Sequence, residues 1–240
     1  MSGKATRYLL KIISRISEEF SGPMERYRAW VFQPHVQSAI QKILEPQREK
    51  LRSGERSASP EFLQSMNHEQ HDGLPGDFVG INLNWAILQK HVGQFDSAFI
   101  KEAREMSDQL DSELQNILGA KVCALKMFYP AGGYIQWHTN WDAPGYNVIF
   151  THSEKGLGYW RHVDSTGATS VSPQMKNLVH VDDPKGWHCK VGYFGKKTEP
   201  DRVVWHAAFT AERRLTLSYI IYEKVIWDNL VEELDAHAAD

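Results

Sequence analysis

Cysteine is scarce in this chain. Only Cys123 and Cys189 occur among 240 residues, with no CxxC spacing. Two isolated thiols exclude a disulfide framework and a cysteine-based zinc module, and they suit a reducing, cytoplasmic compartment. Long hydrophobic runs are missing too: nothing approaches the ~18 uncharged apolar residues of a membrane span. The opening stretch, MSGKATRYLLKIISRISEEF, sets Ser14, Arg15, Glu18 and Glu19 among its apolar residues. That pattern predicts an amphipathic helix, not the unbroken core of a secretory signal. Neither charge sign dominates. A formal net charge of −3 leaves no electrostatic footprint for nucleic acid, and the basic stretch from Gln47 to Arg56 reads as a solvated helix end or loop. There is no internal repeat and no low-complexity tract. What is present, 42% hydrophobic and 24% charged residues, is the composition of an ordinary globular protein long enough to bury a core.

The chain divides by periodicity. Residues 1–118 read as a mainly helical support region. Leu9, Ile12, Ile13, Ile16 and Phe20 recur at helical spacing, and a second pattern runs from about Met24 to Lys50, broken early by Pro34. From Ser53 to Gly76 the composition turns to Ser, Gly, Pro, Asn, His and charge, which predicts a loop or lid. Ser97 to Leu118 is the clearest helix, with Phe99, Ala103, Met106, Leu110, Leu114 and Ile117 on one face. Asp96 or Ser97 can cap its start and Gly119 its end.

Residues 119–240 differ in character. Short runs rich in Val, Ile, Tyr, Phe and Trp fall at 121–129, 134–138, 146–152, 158–163, 168–172, 190–194, 202–206 and 214–222, separated by turn residues. This spacing predicts a β-sandwich or barrel, closed by an amphipathic helix near Val225 to Ala236. The loop from Pro173 to Gly186 is a second candidate lid. The predicted fold class is α+β, with helices first and an all-β core after them.

Three clusters in the β region carry chemistry. Tyr129 precedes a Pro-Ala-Gly-Gly turn that leads to Trp137-His138-Thr139-Asn140. Val203-Val204-Trp205-His206 follows late in the core, and Arg213-Arg214-Leu215-Thr216-Leu217-Ser218 lies just beyond. Two imidazoles on neighbouring strands bind iron(II) well and leave positions open for other ligands. On a strand Arg214, Thr216 and Ser218 share one face. A guanidinium flanked by hydroxyls suits a carboxylate, and the phenol of Tyr129 can join it. Arg213 is the alternative, but the hydroxyls are in phase with Arg214. Each piece also has an ordinary explanation: single histidines are usually structural, and a strand arginine is usually paired with a carboxylate of its own chain. The signal is their joint order.

In this order, residues 121–222 resemble the catalytic core of iron(II)- and 2-oxoglutarate-dependent oxygenases, in particular the prolyl-hydroxylase-like branch. The resemblance implies a double-stranded β-helix (jelly-roll, cupin-like) with the N-terminal helices and a support helix packed on the sheet. It implies His138 and His206 as iron ligands and Arg214 as the residue that binds the far carboxylate of 2-oxoglutarate. Tyr129 and Thr216 or Ser218 match accessory polar positions. The implied activity is hydroxylation of an unactivated C–H bond in a small molecule or peptide, consuming O2 and converting 2-oxoglutarate to succinate and CO2. One position departs from the family. Asn140 stands where Asp or Glu is usual, so it is a weaker neutral ligand, or a holder of bound water, or the mark of a halogenase. Asp142 is a further substitute, although Asp142-Ala143-Pro144-Gly145 reads better as a turn. A non-catalytic cupin-like binding module and a zinc hydrolase are the other classes, the latter without a well-placed general base. His152, His162, Asn147 and Arg161 are secondary candidates near the site.

Overall fold

A computed structural model describes residues 11–13, 16–68, 75, 77–95 and 97–239. The fold is α+β, with two antiparallel sheets and a layer of helices. The six-stranded sheet is built from β1 (Lys11–Ile13), β3 (Ile81–Asn82), β4 (Val122–Tyr129), β6 (Gly145–Ser153), β9 (Gly186–Phe194) and β11 (Arg214–Ile221), in the order β1-β9-β6-β11-β4-β3. The five-stranded sheet contains β2 (Phe78–Val79), β5 (Tyr134–His138), β7 (Gly158–Val163), β8 (Leu178–Asp182) and β10 (His206–Thr210), in the order β2-β5-β10-β7-β8. Met127 and Tyr129 of the first sheet pack with Ile135, Trp160 and Ala208 of the second, so the two sheets face each other as a sandwich.

Alternation along the strands gives each sheet two chemically different faces. On the large sheet, Phe128, Val148, Phe150, Cys189, Val191, Leu215 and Leu217 point outward into one apolar core shared with the helices. Those helices are α1 (Glu18–Val31), α2 (Pro34–Leu44), α6 (Ser97–Leu118) and α7 (Lys224–Ala239). The intervening residues of the same strands face inward. The outer face of the small sheet (Trp137, Tyr159, Val163, Trp205, Ala207) is covered by Ala58 and Leu63. These belong to the segment holding α3 (Gly54–Ser57) and α4 (Pro60–Ser65). Trp137 Nε1 donates to the Ser59 carbonyl at 2.7 Å and fixes this cover.

The helix predicted from Ser97 forms over the whole expected span, and its stop is steric as well as conformational. Gly119 has φ +62°, and a Cβ there would lie 2.7 Å from Ile226 Cγ2. Asp96, its alternative cap, lies outside the described residues, as do residues 1–10, 14 and 15 of the predicted first helix. Of that helix, Lys11–Ile13 is instead an edge strand against Val191–Cys189, and helix starts only at Glu18. Pairing to β9 outweighs local periodicity there. Pro34 starts α2 at its first turn, where a missing N–H costs nothing. The expected loop at 53–76 carries α3 and α4, with Ser59 Oγ capping the Phe62 amide at 3.2 Å. In the core, 168–172 is not a strand, the predicted strand at 202–206 lies at 206–210, and β8 occupies part of the expected lid at 173–186. A short α5 (Trp85–Leu88) completes the layout. Among the described residues no helix is long and apolar enough to cross a membrane.

One polar cluster sits inside the outer core. Lys126, fully buried, donates to Ser107 Oγ at 2.8 Å and pairs with Asp111 Oδ2 at 2.5 Å. Tyr219 donates to the other oxygen of Asp111 at 3.1 Å. It ties α6 to β4 and β11.

Candidate metal centre

His138 ends β5 and His206 begins β10, and the two are direct cross-strand partners. Their ring centroids are 4.0 Å apart, and both residues are buried. Each ring is held by the carbonyl two residues earlier: His138 Nδ1 lies 2.8 Å from Gln136 O, and His206 Nδ1 lies 2.9 Å from Val204 O. A carbonyl only accepts, so both protons sit on Nδ1 and both Nε2 atoms present lone pairs. Backbone-oriented, Nε2-directed imidazoles are what an iron(II) or similar divalent cation requires. The donor chemistry of the pair fits such an ion.

Asn140 lies two residues beyond His138, half-buried, just past the end of β5. Its carbonyl accepts from the Ala143 amide at 2.9 Å and closes a turn in which Asp142 is exposed. Asp142 is thus a turn residue, as its sequence context suggests. Among the described residues no group of three or more His, Cys, Asp and Glu is gathered as a metal site.

Aromatic groups wall the pair. Phe194 of β9 comes within 5.1 Å of the His206 ring and Trp160 of β7 within 5.7 Å. His162 is the cross-strand partner of His206 on its other side, so His138, His206 and His162 form one row across three strands. Trp160 stacks on His162 at 4.6 Å, and burial lowers the His162 pKa to about 4, which leaves it a neutral polar group beside the pair. Of the other secondary candidates, Arg161 points to the outer face and bonds the Ala58 carbonyl at 2.9 Å. His152 packs edge-on against Trp187 and Phe32. Asn147 bonds the Gly145 carbonyl at 2.9 Å.

Phe194 shares its face of β9 with Lys190 and His188, which places those residues on the inner face, opposite the small sheet. Tyr129, Arg214, Thr216 and Ser218 share that face on the neighbouring strands, all buried. Arg213 points outward to Glu154, Nη2 to Oε1 2.7 Å, so Arg214 is the inward one of the two. The Arg214 guanidinium lies 5.7 Å from the centre of the Tyr129 ring, and burial raises the Tyr129 phenol to about 12, against the pull of Arg214. The phenol therefore stays protonated and able to donate.

Arg214 also has a carboxylate of its own chain. Its Nε is 2.8 Å from Asp183 Oδ2, and its Nη2 donates to Oδ1 at 3.4 Å. The Nε–Oδ2 contact is an ion pair without hydrogen-bond alignment, and both atoms lack an aligned partner. Lys190 Nζ donates to the same Oδ1 at 3.2 Å. Burial opposes ionisation of Asp183, but Arg214 and Lys190 hold its carboxyl well below the usual carboxylate range. Gly158 permits this close packing, since a Cβ there would fall 2.6 Å from Asp183 Oδ2. Asp183 and Lys190 are absent from the sequence-derived site. Neither was singled out: the predicted strand began only at Lys190, and Asp183 fell within the predicted loop from Pro173 to Gly186.

The sequence matches no protein-family model, and no curated protein matches it.

Proposed function

We propose that the chain is an iron(II)- and 2-oxoglutarate-dependent oxygenase on a double-stranded β-helix, most consistent with hydroxylation of an unactivated C–H bond. The observation that carries this reading is the His138–His206 pair, two adjacent buried imidazoles whose Nδ1 atoms are both held by backbone carbonyls, with ring centroids 4.0 Å apart. The inward face that carries Arg214, Tyr129, Thr216 and Ser218 supports it as the place for a cosubstrate carboxylate. Iron with 2-oxoglutarate would supply O2 activation and the oxidising power for C–H cleavage.

The chain's own groups do the rest. His138 and His206 would hold the metal, and their Gln136 and Val204 carbonyls keep the rings from rotating. Arg214 would anchor the far carboxylate, with Tyr129 and the hydroxyls of Thr216 and Ser218 as neighbouring donors. Phe194 and Trp160 exclude water from the metal and present an apolar wall to a substrate C–H bond. Asn140 would occupy or solvate the third position, as a neutral side chain too large for the small pocket that a bound halide needs. That favours hydroxylase over halogenase.

The test is metal affinity and turnover together. Purified chain is expected to bind iron(II), and His138→Ala or His206→Ala to lose that affinity by about 100-fold or more. Iron-loaded protein is expected to form succinate from 2-oxoglutarate under O2, even without substrate. Iron affinity unchanged in both alanine variants would sink the reading.

A further inference from the structure

Several apolar side chains that point between the sheets are left half-covered. Ile149 faces inward, since Val148 and Phe150 on either side of it lie in the outer core. Val179 and Val181 are the cross-strand partners of His162 and Trp160, so they share the inner face with them. All three are only half-buried, and among the described residues they join none of the apolar clusters that hold the sandwich together. Leu125, also inward and half-buried, packs at the margin of the inner cluster. Apolar residues turned inward yet left partly exposed mark a cleft between the sheets. Trp160 and Phe194 border it on the side of the histidine pair.

On the inner face of β7 and β8 this cleft has one hydrogen-bonding side chain, His162. Its Nδ1 is buried and has no partner, while Trp160 stacks on the ring at 4.6 Å and limits its rotation. A neutral imidazole has one donor and one acceptor nitrogen, and a buried one left unmatched costs free energy until a ligand supplies its partner. His162 is also the direct cross-strand partner of His206, and such partners have Cβ atoms about 5 Å apart. The charges nearby are committed elsewhere. Arg161 and Asp182 lie on the opposite face, linked through His180: Arg161 Nε donates to His180 Nδ1 at 2.9 Å, and His180 Nε2 lies 3.0 Å from Asp182 Oδ1. Asp164, just after β7, accepts from the Thr166 amide and hydroxyl at 2.9 and 2.6 Å. Lys190, across from Ile149, is held by Asp183. A charged ligand entering here would lose its hydration and gain no free counter-ion.

We propose that this cleft is the substrate site, and that it takes a small uncharged molecule, mostly apolar, whose one hydroxyl or amide is held by His162. Resting on the function proposed above, His162 is the residue that sets specificity. It binds the polar group of the substrate beside the metal pair, and Trp160, Val179 and Val181 take the apolar part. The C–H bond brought to the metal is therefore one close to the held polar group.

The test titrates the full chain, loaded with Mn(II), with three probes of one shape: benzyl alcohol, ethylbenzene and benzylammonium. Binding is read from tryptophan fluorescence, and proximity to the metal from the broadening that Mn(II) gives to the probe's proton signals. Benzyl alcohol is expected to bind about 5- to 10-fold more tightly than ethylbenzene and about 10-fold or more tightly than benzylammonium. His162→Phe, which keeps a ring against Trp160, is expected to erase the preference over ethylbenzene and to leave Mn(II) affinity unchanged. A preference that survives in folded His162→Phe would overturn the proposal. Should that variant not fold, the wild-type ranking decides: ethylbenzene or benzylammonium bound as tightly as benzyl alcohol overturns it. Wild-type protein that binds Mn(II) but no benzyl alcohol refutes the cleft and leaves the metal site standing. Benzyl alcohol bound through His162 by a chain that takes up no Mn(II) upholds the cleft and refutes the oxygenase reading.

Discussion

The large sheet buries a lysine on each face, and the two lysines are solved differently. On the outer face Lys126 has Asp111 to itself, with Ser107 as a further acceptor and Tyr219 completing the carboxylate. One cation meets one anion, and although the buried Tyr27 hydroxyl lacks a partner, no charge is left over. On the inner face Lys190 shares Asp183 with Arg214 and His188, and the Thr151 and Thr216 hydroxyls and His188 Nδ1 beside them are buried without a partner. The outer cluster is closed and serves to register α6 on the sheet. The inner one sets two cations on one carboxylate and leaves three buried polar atoms beside them without a partner. In a ligand-free chain such an opening is a cost, and a cost retained inside a packed sandwich points to binding.

That contrast can be broken by mutation. The largest effect is expected for Asp183→Asn, which leaves two buried cations without their anion: a loss of about 3–5 kcal/mol of unfolding free energy in urea titrations, partly restored by added 2-oxoglutarate. Lys126→Met should cost less, about 2–3 kcal/mol, because Asp111 reaches solvent. The same substitution should leave 2-oxoglutarate and metal affinity untouched. Equal rescue of both variants by 2-oxoglutarate would erase the distinction between the faces.

A pH series separates them further. Lys190, packed against Asp183, Arg214 and His188, has its pKa lowered from 10.5 to about 8, burial being the main cause. Its charge is present below about pH 8 and lost above it, so 2-oxoglutarate affinity is expected to fall as pH rises through 8. Stability of the ligand-free chain should move the opposite way. Between about 8 and 10.5 the unfolded lysine still holds a proton that the folded one has released, so unfolding free energy gains a rising contribution with pH. Both trends should vanish in Lys190→Met. The smallest effect is also the most diagnostic. Thr151→Val replaces an unpartnered buried hydroxyl with a methyl, so the empty protein should be unchanged or more stable by up to about 1 kcal/mol, while ligand affinity drops. Loss of both would mean that the hydroxyl has an ordinary structural partner.

Much of the fold was legible where local pattern and tertiary role agree. The Ser97–Leu118 helix and the strands at 122–129, 134–138 and 158–163 fall where periodicity puts them. It was illegible where the neighbour decides. Lys11–Ile13 has helical spacing, yet it pairs with β9 as an edge strand. Leu178–Asp182 looks like loop, yet it extends the small sheet beside Tyr159–Val163. Of the candidate site, the adjacency of His138 and His206 and the inward Arg214 could be anticipated because each stands in a short patterned cluster. Asp183 and Lys190 could not, because their meaning comes from contact between the end of one sheet and the middle of the other. A charged residue on a strand reads as solvated until its burial is known. The ordinary expectation that a strand arginine has a carboxylate partner holds for Arg214, and that partner is what makes the inner face unusual.

The most direct test of the account is an anaerobic titration of the iron(II)-loaded chain with 2-oxoglutarate, followed by visible absorption. Chelation beside His138 and His206, with the far carboxylate held by Arg214 and Lys190, predicts a saturable charge-transfer band that weakens in Lys190→Met and is absent in His206→Ala. Iron-loaded wild-type protein that develops no band at saturating 2-oxoglutarate would contradict it.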